Sequence, residues 1–277
     1  MKKGLVMALS LTLVLSFAAC GNNGTTDSSA SSEEVSSVAS ESKDDASVES
    51  TEEVSSEAEN NDVVGETVMS YADYVAAELE FPVVIEAYVQ AHQSWWDNKI
   101  TVYAADEDGA YFIYNMTCSE EDSAKLVPGT KIKVTGYKTE WSGEVEIAEG
   151  ATFEIEDGSY IAEATDVTDL LGTDDLINYQ NQFVSFKGMT VEESEGGAAF
   201  LYNWDGSGSA DSNSDLYFNV SLNGQTYTFT VESYLCDNTT DVYKTVEGLK
   251  VGDVIDMEGF LYWYNGVNPH ITNVTVK

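Results

Sequence analysis

One short pattern that occurs twice constrains this chain more than anything else in it. Gly129-Thr-Lys-Ile132-Lys-Val134-Thr-Gly136-Tyr137 and Gly252-Asp-Val-Ile255-Asp-Met257-Glu-Gly259-Phe260 carry glycines, apolar residues and an aromatic ring at matching positions. Apolar side chains at every second position line one face of a strand. Each copy therefore reads as a half-buried strand ending in a glycine bend. The match runs on: Trp141-Ser142-Gly143 falls against Tyr264-Asn265-Gly266 as a turn, and residues 144–148 and 267–276 supply returning strands. A lone two-stranded hairpin is marginal in water, so each copy needs further strands to close around.

The flanking sequence provides them. Before the first hairpin, residues 83–90, 99–105 and 110–117 are aromatic and β-branched runs parted by turn signals at Asp97-Asn98 and 106–109. Ser119-Glu-Glu-Asp122 is a capping-box pattern that opens a short helix, and Pro128-Gly129 closes it. In the second copy strands are expected over 182–191, 198–204, 216–222 and 226–234, with Asn223-Gly224 as a hairpin turn and a helix over 240–247 ending at Gly248. The stretch 216–234 is too long for one strand, so the second copy is expected to carry an extra hairpin. Cys118 and Cys236 stand just before the two helices, in matching places.

Three strands, a short helix and a glycine-rich hairpin, found twice, resemble the OB-fold, a five-stranded Greek-key barrel. The resemblance covers about 83–150 and 176–277. It implies a mainly β chain of two consecutive OB-like five-stranded barrels with short helices, preceded by a disordered acidic linker. The expected domains are 67–160, with a capped helix near Ser70 that turns Tyr71, Tyr74, Val75 and Leu79 toward one barrel end; a helical connector over 161–175; and 176–277.

The N-terminus reads separately. Lys2 and Lys3 precede an apolar run from Gly4 to Phe17, and Ala18-Ala19-Cys20 brings small residues to a cleavage point. The run is shorter than the roughly 20 residues a bilayer-spanning helix needs and has the zones of a signal peptide. Phe17-Ala18-Ala19-Cys20 resembles the bacterial lipobox, with Phe17 where that family usually has Leu. The resemblance implies a signal peptide over 1–19, lipidation of Cys20, and anchorage on the extracellular face of a bacterial membrane. Residues 21–66 hold 13 acidic residues against Lys43, with no aromatic ring. Such a segment buries too little surface to offset its ordering entropy, and it is read as a tether.

Residues 67–277 keep 36 acidic residues and nine lysines, a formal charge of −27, and the chain contains no arginine. Nucleic-acid affinity draws heavily on cations that neutralise phosphates, so nucleic acid is excluded as a partner at this stage. No Walker loop, dinucleotide fingerprint, metal-ligand histidine pair or nucleophilic triad is present as a motif, so no catalytic residue, metal or cofactor is expected. OB-folds bind their ligands across strands two and three, beneath two loops. Mapped onto this chain, those loops hold Trp95, Trp96, Trp141, Trp263 and Tyr264, the candidate ligand-binding residues. Aromatic platforms beside Asn, Gln and Asp suit an extracellular carbohydrate or peptide. Two alternatives remain: a hydrolase using Glu140, Glu144 and Glu146 as paired carboxylates, and an envelope scaffold with no small ligand. A disulfide between Cys118 and Cys236 is left open. Asp205–Asp215, with alternating oxygen donors, is read as a hairpin connection because no EF-hand glycine or closing glutamate follows.

Overall fold

A computed structural model describes residues 67–277. The signal peptide, Cys20 and the acidic tether lie outside the described residues.

The chain enters with helix α1 (Tyr71–Ala76), capped by the Ser70 hydroxyl, which accepts from the Asp73 amide. Strands β1 (Pro82–His92), β2 (Lys99–Ala105) and β3 (Ala110–Thr117) follow as an antiparallel meander. Ser119 caps α2 (Glu120–Ser123) as its capping pattern predicts. The first repeat pattern forms β4 (Thr130–Trp141) and β5 (Glu144–Ile147). β4 pairs with β1 and β5 runs parallel to β3, which closes a five-stranded barrel in the order β1-β2-β3-β5-β4. β6 (Thr152–Ser159) adds a sixth strand on the outer edge of β4.

The second unit repeats the plan. β7 (Thr165–Asp166) pairs with β8 (Phe183–Glu192); β9 (Leu201–Tyr202) lies beside β10 (Leu216–Leu222); β11 (Gln225–Val231), α3 (Asp241–Glu247), β12 (Val254–Phe260) and β13 (His270–Val276) complete it. β8 pairs with β10, and β11 runs parallel to β13, so the barrel closes as β8-β10-β11-β13-β12. The protein is mainly β, two five-stranded OB-type barrels in sequence.

Both repeat glycines are explained by close approach rather than by a bend. A Cβ on Gly136 would lie 2.6 Å from Ile147 Cγ2 and 2.9 Å from Ala151 Cβ; one on Gly259 would lie 2.2 Å from the His270 carbonyl oxygen. The strands cross there so tightly that only a hydrogen fits.

The structure departs from the sequence expectations at three places and answers the cysteine question left open. The pair β10–β11 supplies the second and third barrel strands themselves, so there is no extra hairpin; the added material is the loop between β8 and β10. Within it Asp205–Asp215 folds locally, with a capped 3-10 turn at Ala210–Ser212 and the Asp215 carboxylate accepting from the Ser233 amide. The expected connector helix is instead the β7 bridge and two 3-10 segments, Thr168–Leu170 and Asp174–Tyr179. Helix α1 packs Tyr74 and Tyr71 on the first core but leaves Val75 and Leu79 exposed, because it ends at Ala76 and Leu79 falls outside it. Cys118 and Cys236 are both free thiols, the first in the core of one barrel and the second in the core of the other.

Candidate functional site: the seam between the barrels and the face it leaves open

Successive strand residues point to opposite faces, so each barrel strand has an inner and an outer set. On β2 and β3 the inner set is Val102, Ala104, Tyr111 and Ile113, all in the first core. The outer residues Tyr103 and Phe112 are buried too, in a separate cluster with Phe260 and Tyr262 of the second barrel. Tyr103 stacks on Phe260 at 4.4 Å, and Phe112 meets Tyr262 edge-on at 5.1 Å. The strand-two and strand-three face of the first barrel, where an OB-fold binds its ligand, is thus covered by the second barrel. Tyr103 Oη lies 2.6 Å from His270 Nδ1, and burial pushes that imidazole down to about 3, so it stays neutral.

Polar contacts rim this aromatic seam. Ser94 N donates to the Tyr234 carbonyl at 2.8 Å and Gln93 Nε2 to Glu232 at 3.1 Å. At the other end Trp263 N and Gln180 Nε2 donate to Glu144 Oε2 at 2.8 and 3.2 Å, and Asn265 N donates to the Ser142 carbonyl at 2.6 Å. Glu144 is fully buried. Desolvation raises its carboxyl to about 8, and raises Glu146 and Glu232 to about 7.

The equivalent face of the second barrel is open. Its inner residues Leu216, Phe218, Val220, Phe229 and Val231 fill the second core. Its outer residues form cross-strand pairs: Tyr217 with Thr230, Asn219 with Thr228, and Ser221 with Thr226. Of these only Thr230 is buried. Within these pairs Tyr217 is the one ionisable group, and the Glu192 carboxylate of adjacent β8 borders them, accepting from Ser221 Oγ. Thr228 Oγ1 donates to Asn219 Oδ1 and Thr230 Oγ1 to Asn268 Oδ1, which holds the amides in place. The face lies next to the two hairpin loops that the seam joins: burial, then the carboxylates of Asp215 and Glu232, then Tyr264 raise the Tyr217 phenol to about 12. Tyr264 in turn packs at a tilt against Trp141 of the first barrel, ring centroids 5.1 Å apart.

Three of the five candidate aromatics are therefore brought together. Trp141 and Tyr264 are about half exposed, 54% and 48%, while Trp263 packs on the second core and lies against Gly143 of the opposing turn. Trp95 and Trp96 stand elsewhere. Trp95 packs on the first core and donates its indole N–H to the Cys118 carbonyl. Asp97 and Asn98, both at positive φ, reverse the chain just beyond Trp96 and leave its ring exposed at the tip of a tight turn. The residues of the open face that the sequence reading did not single out are Tyr217, Asn219, Ser221 and Thr228; their alternation along the strand was visible, but which face would stay uncovered was not.

Glu144 and Glu146 do share one face of β5, as paired carboxylates would. Glu144 is sealed beneath Trp263 and Gln180, however.

No family model and no curated protein matches the chain. Among solved structures it is similar to a murine DNA-binding protein bound with dsDNA (12% identity, 71% of this chain and 96% of that one, TM-score 0.34). It is also similar to the Ifi202 HINa domain in complex with a 20-base-pair dsDNA (14%, 72% and 96%, TM-score 0.32) and to a single-stranded DNA-binding protein from Thermus aquaticus (11%, 71% and 92%, TM-score 0.23). At these identities the likeness is one of fold. Two of them are described with dsDNA and the third as a single-stranded DNA-binding protein, none with a carbohydrate or peptide; against them the carbohydrate-or-peptide expectation and the exclusion of nucleic acid are both withdrawn. The physical reason is that the charge argument concerns phosphates alone, whereas an OB face also takes bases by stacking, which needs no cation.

Proposed function

We propose that the chain is an exported, lipid-anchored protein whose second barrel binds a ligand through exposed nucleobases, as in an unpaired nucleic-acid segment or its nucleosides. The single observation that supports this is the asymmetry of the two barrels. One ligand face is consumed by the seam, while the other stays open and presents amides, hydroxyls and Tyr217 beside the Trp141–Tyr264 pair. Amides and hydroxyls match the donor and acceptor edges of bases, and aromatic rings match their faces.

Phosphates have little part in this reading. Lys99, Lys125, Lys131, Lys187 and Lys277 are each paired with a carboxylate, Lys138 is buried against helix carbonyls, and no lysine lies on β10 or β11. The binding should therefore lack the steep loss with salt that phosphate contacts impose. The Cys20 lipobox and the acidic tether supply the anchoring half of the proposal.

The test is a titration of the full chain with a short single-stranded oligonucleotide and with its abasic counterpart over a range of salt. The base-bearing strand should bind without weakening as salt rises, the abasic strand should not bind, and Tyr217→Ala and Trp141→Ala should each cost about 1–3 kcal/mol. Equal binding of both strands, or none of either, would remove the base-stacking reading. Mass spectrometry of the mature N-terminus tests the anchor, and a protein still carrying Met1 would remove that half alone.

A further inference from the structure

Among the described residues, three buried side-chain atoms have no hydrogen-bond partner: Glu144 Oε1, Asn181 Oδ1 and Tyr74 Oη. An orphaned buried polar atom costs the desolvation of that group. Two orphaned oxygens on neighbouring side chains point to one remedy. Glu144 stands at the start of β5 in the first barrel, and its recorded donors all come from the second half of the molecule: Trp263 N and Gln180 Nε2 onto Oε2. The Asn181 side chain lies against the same strand, at the residue next to Glu144. Its Nδ2 donates to the Val145 carbonyl, which leaves Oδ1 as an acceptor with no donor. An ionised carboxylate at Glu144 would set a bare oxygen beside that acceptor. A carboxylic acid would satisfy both.

We propose that Glu144 is held as a neutral acid whose Oε1–H donates to Asn181 Oδ1, and that this proton is a latch between the two barrels, one that weakens as it is lost.

The surroundings supply no cation to replace it. Facing Glu144 are Glu146 on its own strand, Tyr74 from α1, Tyr103 from β2 and Tyr262 from the loop after β12. Lys138 on adjacent β4 directs its ammonium away, onto the carbonyls of Tyr74, Val75 and Ala77. Glu140, on the same strand, pairs across to Val145, and His270 on β13 is engaged by Tyr103. At the far end of the seam Glu232, with Asp215, Tyr217 and Cys236 about it, accepts from Gln93, Tyr234 N and Leu235 N, so both of its oxygens have donors where Glu144 Oε1 has none. Burial raises the folded Glu144 acid to about 8, against about 4.3 for an exposed glutamate. Opening the seam exposes the group and releases its proton throughout that interval, so the opening equilibrium rises up to tenfold per pH unit from about 4.3 to 8 and is flat beyond.

Amide hydrogen exchange of the full chain reads this directly at Trp263, whose N–H is held by Glu144. With intrinsic exchange corrected for, the Trp263 protection factor should fall between pH 5 and 8 in the wild type, with up to tenfold per unit of that fall due to Glu144. It should fall by that much less in Glu144→Gln, whose amide keeps the shape and the donor and which leaves Glu146 and Glu232 to account for the rest. Carbon-13 NMR of labelled glutamates in the unmodified protein gives a second reading, a buried carboxyl titrating near 8. A Glu144 that titrates in the ordinary carboxylate range, or a Trp263 protection that falls equally in Glu144→Gln, would overturn the latch. Neither measurement involves a nucleobase ligand, so the proposal stands or falls apart from the binding reading.

Discussion

Gly259→Ala is a severe change at a position where the other copy of the repeat tolerates the same change better. The new Cβ would sit 2.2 Å from the His270 carbonyl oxygen, 2.7 Å from Ile271 Cα and 2.9 Å from the His270 carbonyl carbon. All three are backbone atoms of β13. That strand cannot retreat freely, because His270 is stacked on Tyr262 at 4.3 Å and hydrogen-bonded to Tyr103 across the seam. Overpacking usually costs about 1–3 kcal/mol, occasionally more. With backbone as the obstacle the cost should reach about 3 kcal/mol, or roughly 6–12 °C in Tm for a folded part of this size. At Gly136 the nearest atoms are the side-chain carbons Ile147 Cγ2 and Ala151 Cβ, and the nearest backbone atom is 3.6 Å away. Rotamer shifts can relieve part of that, so Gly136→Ala should cost about 1–2 kcal/mol. Neither glycine has a positive φ, and the unfolded-state gain from alanine is shared, so both cancel in the comparison. Calorimetric melting of the full chain carrying each variant decides it. Equal losses, or a larger loss for Gly136→Ala, would refute the argument from backbone contact.

Stability should decline from mildly acidic to alkaline pH. Burial raises the acids of Glu144 to about 8 and of Glu146 and Glu232 to about 7, so between about 4.3 and those values the folded state holds more protons than the unfolded chain, and raising the pH favours unfolding. Tm should be higher at pH 5 than at pH 8, and Glu232→Gln should reduce the difference; a Tm that rises over this interval would contradict the burial of these acids. Cys118 and Cys236 are free and lie in different cores, so a reducing agent should leave Tm unchanged, and a fall in Tm would reveal a bond between them.

Caps and turns were legible because they depend on neighbours in sequence. Ser70, Ser119 and Thr240 each accept from an amide three residues on, and Asn223-Gly224 makes the hairpin turn at positive φ. Barrel strands were legible through their alternation. β6 was not, because its burial pattern lacks alternation; it pairs along β4 and turns Phe153 against the first core. Of the tandem indoles, adjacency ensured that they would diverge, and the structure buried Trp95 while it exposed Trp96.

The duplicated strand pattern, read alone, determined two small β-barrels and placed aromatic residues in their loops, since period-two burial and short-range hydrogen bonds are encoded locally. Which of those rings meet, which barrel face is covered and which glutamates are buried were decided only when Tyr103 and Phe112 found Phe260 and Tyr262 across the seam. Those outcomes depend on the shape and solvent exclusion of a surface assembled from residues more than 140 positions apart, and no local pattern carries that information.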